Sequence, residues 1–288
     1  MTGGTLMPYA NVRGIAIKYE ILGDKGPWVA LASGGRSPYA EIIGVAKKLA
    51  DHGFRVVLHD RRNCGGSEIA LDASESEDEH RVSDWHALLT HLGATPTFLG
   101  GSSSGARMSL RYAVRYPHLV SGLLLMRVTG GPFQAERLPE NYYSQFIRAA
   151  EQGGMEAVAA MDHWKALIAA RPENRDILLK MPVKHFVDVM TKWRAALVAG
   201  GDLPVAGVTA AELAAIKAPT IVIPGNDKIH NNASGRVAQK AIPGAKLHEL
   251  PIEDTGADIV PFPQWAPHEA EIARTFADFM KSVGAKAA

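Results

Sequence analysis

The sequence predicts an α/β fold: a mostly parallel central sheet flanked by helices, with an inserted helical cap. Three observations lead there. Short apolar runs of strand type alternate with segments of helical period along most of the chain. One strand-to-helix junction reads Gly101-Ser102-Ser103-Ser104-Gly105. Finally, between a strand ending near Met126 and the next beginning at Thr220, the chain shows helical but no strand character.

Taken in order, Asn11 to Gly23 alternates like a half-exposed edge hairpin, with Ile15 and Ile17 on one face and Lys18 and Glu20 on the other. Trp28 to Ala32 is a continuous apolar run, the mark of a buried strand. A helix is expected from about Ala40 to His52, with Ile42, Ile43, Ala46 and Leu49 at helical spacing and Gly53 ending it. Arg55 to Asp60 is the next strand, followed by a turn through Cys64-Gly65-Gly66. The charge run Glu75 to Arg81 reads as a solvated acidic loop, and Val82 to Leu92 as an amphipathic helix. Thr97 to Gly101 and Gly122 to Met126 are strands. Helices are expected near 140–151, 155–170 and 184–199, separated by Gly153-Gly154, Pro172 and Pro182. Thr220 to Ile223 resumes the strands, Lys246 to Leu250 closes the sheet at an edge, and Ala270 to Val283 is a terminal helix. The expected division is a core of residues 1–129 and 206–288 with a helical cap of 130–205.

The G-x-S-x-G turn carries the chemistry. Set between strand and helix it forms a nucleophile elbow, so sharp that Ser103 projects its hydroxyl clear of the sheet. Side chains two positions away would strike the neighbouring strand and helix, and Gly101 and Gly105 avoid that. The helix that follows aims its free N–H groups at negative charge developing beside the serine.

Composition narrows the function classes. A net charge of +1 gives no electrostatic case for nucleic acid or anionic membranes. The single cysteine, Cys64, forms no internal disulfide and leaves no C-x-x-C metal or redox pattern. No signal peptide and no long apolar span stands out, so the chain reads as cytoplasmic, with a small-molecule substrate as its partner and no cofactor or metal implied. Oligomeric state is not legible.

With these motifs in place, the chain resembles the α/β-hydrolase fold superfamily along nearly its whole length. Ser33-Gly34-Gly35 stands where that fold usually carries His-Gly-x. The resemblance implies that the N–H groups of Gly35 and Ser104 form an oxyanion hole. Asp60 to Ser67 is similar to the family's D-x-R-G-x-G-x-S turn, with Asn63 in place of the first glycine and Cys64 a small packed residue. Asp227, after the penultimate strand, occupies the place of the triad acid. The histidine departs from the pattern, because Ala257 stands where Gly-His is expected. Of eleven histidines, position leaves two substitutes: His230, three residues after Asp227, and His268, which opens the terminal helix. A chain in which neither serves has lost its base.

The resemblance implies a serine hydrolase of small esters, lactones or related carbonyl compounds. Acyl transfer or C–C hydrolysis on the same fold, and a non-catalytic ligand-binding scaffold, stand as alternatives. Tyr142, Tyr143, Phe146, Met161, Trp164, Phe186, Met190 and Trp193 either line a pocket or pack the cap helices together. Arg36, beside the oxyanion loop, offers a substrate carboxylate partner or a surface salt bridge.

Overall fold

A computed structural model describes residues 8–286. Tyr9–Val12 (β1) and Ile15–Leu22 (β2) form the expected hairpin. Its two turn residues, Arg13 and Gly14, both have positive φ, as a two-residue hairpin turn matched to strand twist requires. Trp28–Ala32 (β3), Arg55–His59 (β4), Thr97–Ser102 (β5), Val120–Met126 (β6), Thr220–Ile223 (β7) and Lys246–Leu247 (β8) complete one sheet. Its order is β1-β2-β4-β3-β5-β6-β7-β8. Pairing is parallel from β4 through β8 and antiparallel where β2 meets β1 and β4. The central strands are buried on both faces, which explains their unbroken apolar runs.

Helices cover both faces. Ile43–Asp51 (α1) and Glu269–Ser282 (α11) share one core layer with Val29, Leu31, Val56 and Leu58. Glu77–His91 (α2), Ser104–Arg115 (α3), Ala210–Ala215 (α9) and Asn232–Ala241 (α10) pack on the other, around Ala30, Val57, Leu99 and Leu125. Between β6 and β7 lies the helical insertion: Pro132–Pro139 (α4), a π-helical turn at Glu140–Ser144, Gln145–Ala159 (α5), Asp162–Ala170 (α6), Glu173–Leu179 (α7) and Val183–Ala199 (α8). Trp164, Phe186, Met190 and Trp193 are buried together in its own small core.

Several expectations need correction. Helix α2 starts at Glu77, not Val82, because the Ser76 hydroxyl caps it by accepting the Glu79 N–H (3.2 Å). The charge run thus belongs to a helix, where acidic first-turn side chains suit the positive end of the dipole. Nor is all of it solvated: Glu77 and Arg81 are each 3% exposed and pair at 2.8 Å, while Glu75, Asp78 and Glu79 are partly exposed. Gly153-Gly154 interrupts the helix as expected: Gly154 is non-helical (φ +68°, ψ −165°), so α5 is two helical segments meeting at a kink. The strand expected at Lys246 to Leu250 is only two residues long. Helices α4, α7, α9 and α10 were not expected.

Candidate active site

Strand β5 delivers Ser103 at its end, and α3 begins at the next residue. Ser103 has φ +58° and ψ −116°, a strained setting for a residue with a Cβ. The neighbours explain how it is held. A Cβ at Gly101 or at Gly105 would overlap the carbonyl oxygen of Ala32 in β3, so the turn closes only with glycine at both places. The Ser103 N–H donates to Met126 O (3.1 Å), and the Ser103 carbonyl accepts Arg107 N–H (3.0 Å).

Beyond β7 the chain turns through Pro224-Gly225-Asn226-Asp227 and folds back at His230. Asp227 Oδ1 accepts the His230 backbone N–H at 2.7 Å, which closes the turn locally. Gly225 permits the return, since a Cβ there would overlap the His230 carbonyl. Asn231 then caps α10 through Ser234 N–H (2.8 Å) and anchors itself to Gly130 O (3.0 Å). The result is a line of three groups. His230 Nε2 lies 2.8 Å from Ser103 Oγ, and His230 Nδ1 lies 2.9 Å from both Asp227 oxygens.

Arg127, just past β6, was not anticipated from the sequence. It has φ +51° and is buried. Its Nη2 donates to Asp227 Oδ2 (2.9 Å) and to Val260 O, and sits 3.0 Å from His230 Nδ1. An Nη2 group has two hydrogens, and these two acceptors take both. Nδ1 therefore keeps its own proton, directed at Asp227. The Nε2 lone pair is left facing the Ser103 hydroxyl, the tautomer a general base needs.

Charge follows the same geometry. Burial pushes the Asp227 carboxyl up, but the His230 ring, its charge, and the N–H groups of Val260 and His230 outweigh it and hold Asp227 below the usual carboxylate range. His230 moves below the ordinary 6.5: burial and the Arg127 charge lower it, against the bond and charge of Asp227.

Behind the serine, Gly34 and Gly35 (φ +44°) bring the β3 loop against the elbow. Gly35 lines the same cavity of about 90 Å³ as Ser103, His230, Leu138 and Tyr142. The Ser104 hydroxyl donates to Gly35 O at 3.0 Å, tying the loop to the first residue of α3. Arg61, 1% exposed, donates to Ser104 Oγ (2.7 Å), Gly34 O (3.0 Å) and Ser33 Oγ (3.3 Å). It makes no ion pair among the described residues. Sequence reading passed over it as a turn residue.

The remaining candidates lie elsewhere. His268 is half-buried at the start of α11 and is absent from the lining around Ser103. Ala257 is exposed; its carbonyl accepts Lys228 N–H (2.9 Å), so the segment that would carry the usual histidine instead braces the His230 turn. Cys64 is buried and free. Asp60 binds the Tyr39 and Gly66 N–H groups, and Arg62 pairs with Asp84 at 2.6 Å. The Arg36 salt bridge expected at the surface is buried: its side chain is 6% exposed and meets Glu77 at 3.1 Å. Among the described residues no group of three or more His, Cys, Asp or Glu is placed to hold a metal ion, and no helix is long and apolar enough to cross a membrane.

Comparison with known proteins agrees with this architecture. Residues 30–148 match the family model described as alpha/beta hydrolase fold. An uncharacterized hydrolase of Bacillus subtilis, YraK, is 31% identical over 51% of this chain and 56% of its own length. A proline iminopeptidase of Neisseria meningitidis serogroup B is 30% identical over 42% of this chain and 36% of its own. The matches thus span about half or less of these relatives. Among solved structures, the enol-lactonase from Burkholderia xenovorans LB400 superposes with a TM-score of 0.64 at 21% identity, over 95% of this chain and 100% of that one.

Proposed function

We propose that the chain is a serine hydrolase of the α/β-hydrolase fold superfamily, cleaving a small ester, lactone or related carbonyl compound through an acyl-enzyme on Ser103. One observation carries the reading: His230 Nε2 stands 2.8 Å from Ser103 Oγ while its Nδ1 is held by Asp227. In this role His230 Nε2 takes the hydroxyl proton as Oγ attacks the acyl carbon. The resulting oxyanion is received by the N–H groups of Gly35 and Ser104. When the tetrahedral intermediate collapses, the C–O bond to the leaving alcohol breaks and His230 returns the proton to that oxygen. Water then repeats the sequence: His230 accepts its proton, hydroxide adds to the acyl carbon, and Ser103 leaves with the proton restored. Asp227 stays ionised throughout and stabilises the imidazolium. The named hydrolases and lactonase among the relatives support the same class.

Residues 130–205 act in this reading as a cap over the core formed by 1–129 and 206–288. Leu138 and Tyr142 of the insertion, which line the cavity at Ser103, support it. The test is turnover of 4-nitrophenyl acetate by the wild type and by Ser103→Ala. Hydrolysis that disappears with the hydroxyl supports the reading. Hydrolysis retained by Ser103→Ala overturns it.

A further inference from the structure

We propose that the substrate carries a carboxylate, and that Arg36 receives it in the cavity beneath the helical insertion. The inference rests on the hydrolase reading and names its substrate class: half-esters of small dicarboxylic acids, or lactones bearing a carboxylate.

The place is a cavity of about 480 Å³ lined by Arg36, Asn141, Tyr142, Phe146, Met161 and His163. Tyr142 also lines the small cavity at Ser103, so the two share a wall. Arg36 itself directly follows the Gly34-Gly35 loop. A substrate whose carbonyl sits at Ser103 can extend past Tyr142 toward it.

Arg36 is incompletely satisfied. The faces of Tyr142, Tyr143 and Phe146 surround its guanidinium at 5.6, 5.3 and 5.7 Å. Aromatic faces hold a cation but accept no in-plane N–H, and Nε and Nη1 have no hydrogen-bond partner among the described residues. The carboxylate it does meet is shared. Glu77 Oε2 also accepts the Tyr143 hydroxyl (2.6 Å), and Oε1 takes Arg81 (2.8 Å).

The surrounding charge does not balance. Arg36, Arg81 and Arg107 share Glu77 and Asp78, three guanidinium groups against two carboxylates, and Arg61 beside them makes no ion pair among the described residues, its charge reaching Asp60. The Tyr142 hydroxyl feels all four arginines, although burial outweighs them and keeps it above the ordinary phenol range. His163 adds no charge, because burial and then Arg36 lower it to about 3. Asp162 is exposed at the rim, and Glu41 is engaged by Gly34 N–H and the Ser37 hydroxyl. Buried charge without a partner is costly. A bound carboxylate, met by a turn of the guanidinium toward the cavity, supplies both an acceptor for the shielded Arg36 N–H groups and part of the missing negative charge.

The experiment compares the 4-nitrophenyl monoesters of succinate, glutarate and adipate with neutral 4-nitrophenyl pentanoate. The measured quantity is the ratio of kcat/KM values, half-ester over neutral ester. The wild type is expected to favour one half-ester. In Arg36→Met that ratio falls about tenfold or more, the loss expected for one charge-assisted hydrogen bond, and Arg36→Lys restores part of it. An unchanged ratio in Arg36→Met, or a wild type that prefers the neutral ester, overturns the proposal while leaving a serine hydrolase intact. Calorimetry with succinate, glutarate and adipate on Ser103→Ala, with and without Arg36→Met, needs no turnover. Arg36-dependent binding supports the carboxylate site even if no ester is hydrolysed, and absence of binding by all three diacids counts against it.

Discussion

Arg127 Nη2 lies 3.0 Å from His230 Nδ1 yet has no hydrogen left to give it, because both go to Asp227 and Val260. The arginine therefore acts on the histidine through charge and through its hold on the aspartate. This orders the pH behaviour of the proposed reaction. Only neutral His230 accepts the serine proton, and its pKa is lowered from 6.5 by burial and then by Arg127, against Asp227. The acid limb of kcat/KM is expected below pH 6.5, with activity rising as pH increases through it. A limb above pH 7 in the wild type contradicts this assignment.

Replacing Arg127 tests the charge directly. Arg127→Met removes a buried cation beside Nδ1, so the His230 pKa is expected to rise and the acid limb to move toward higher pH. kcat also falls, since Asp227 loses one of its donors. A limb that stays in place, or moves down, shows that Arg127 serves only the fold.

Arg61 braces the other half of the site. It ties Gly34 O to Ser104 Oγ, and Ser104 in turn to Gly35, so both proposed oxyanion donors are positioned through it. Arg61→Met is expected to lower kcat by roughly tenfold to a hundredfold, less than loss of a donor outright, with a smaller change in KM. Arg61→Lys should recover part of the loss. A change in KM alone places Arg61 in substrate binding instead.

Gly225 is the steric condition for the His230 turn. In Gly225→Ala the new methyl overlaps the His230 carbonyl and displaces the ring from Ser103. Ester turnover is expected to fall by at least about a hundredfold, as for other small misplacements of catalytic groups. Circular dichroism should retain the wild-type helical signal. Full activity in this variant removes the turn from the mechanism.

What could be read from the sequence follows from how local each determinant is. The elbow is a matter of sterics within five residues, and Gly101 and Gly105 state it openly. Asp227 was singled out through the resemblance, which implies an acid just after the penultimate strand. His230 was left open against His268 because chain order favours a histidine after the last strand, whereas the contact on which the proposed role of His230 rests spans from residue 230 to 103. The unread signal was Gly225, which lets the chain return so soon. Arg127 gave no signal, since its partner Asp227 lies 100 residues away and it reads as a strand flank. Glu77 and Arg81 were placed in solvent because charged residues usually are; paired with each other, they enter the core.

The central claim is that Ser103 is a nucleophile activated by His230, and fluorophosphonate labelling located by mass spectrometry tests it most directly. The account predicts labelling of the wild type at Ser103, unimpaired labelling of His268→Ala, and a rate reduced by orders of magnitude in His230→Ala. Labelling of His230→Ala at the wild-type rate, or no labelling of folded wild type, would contradict it.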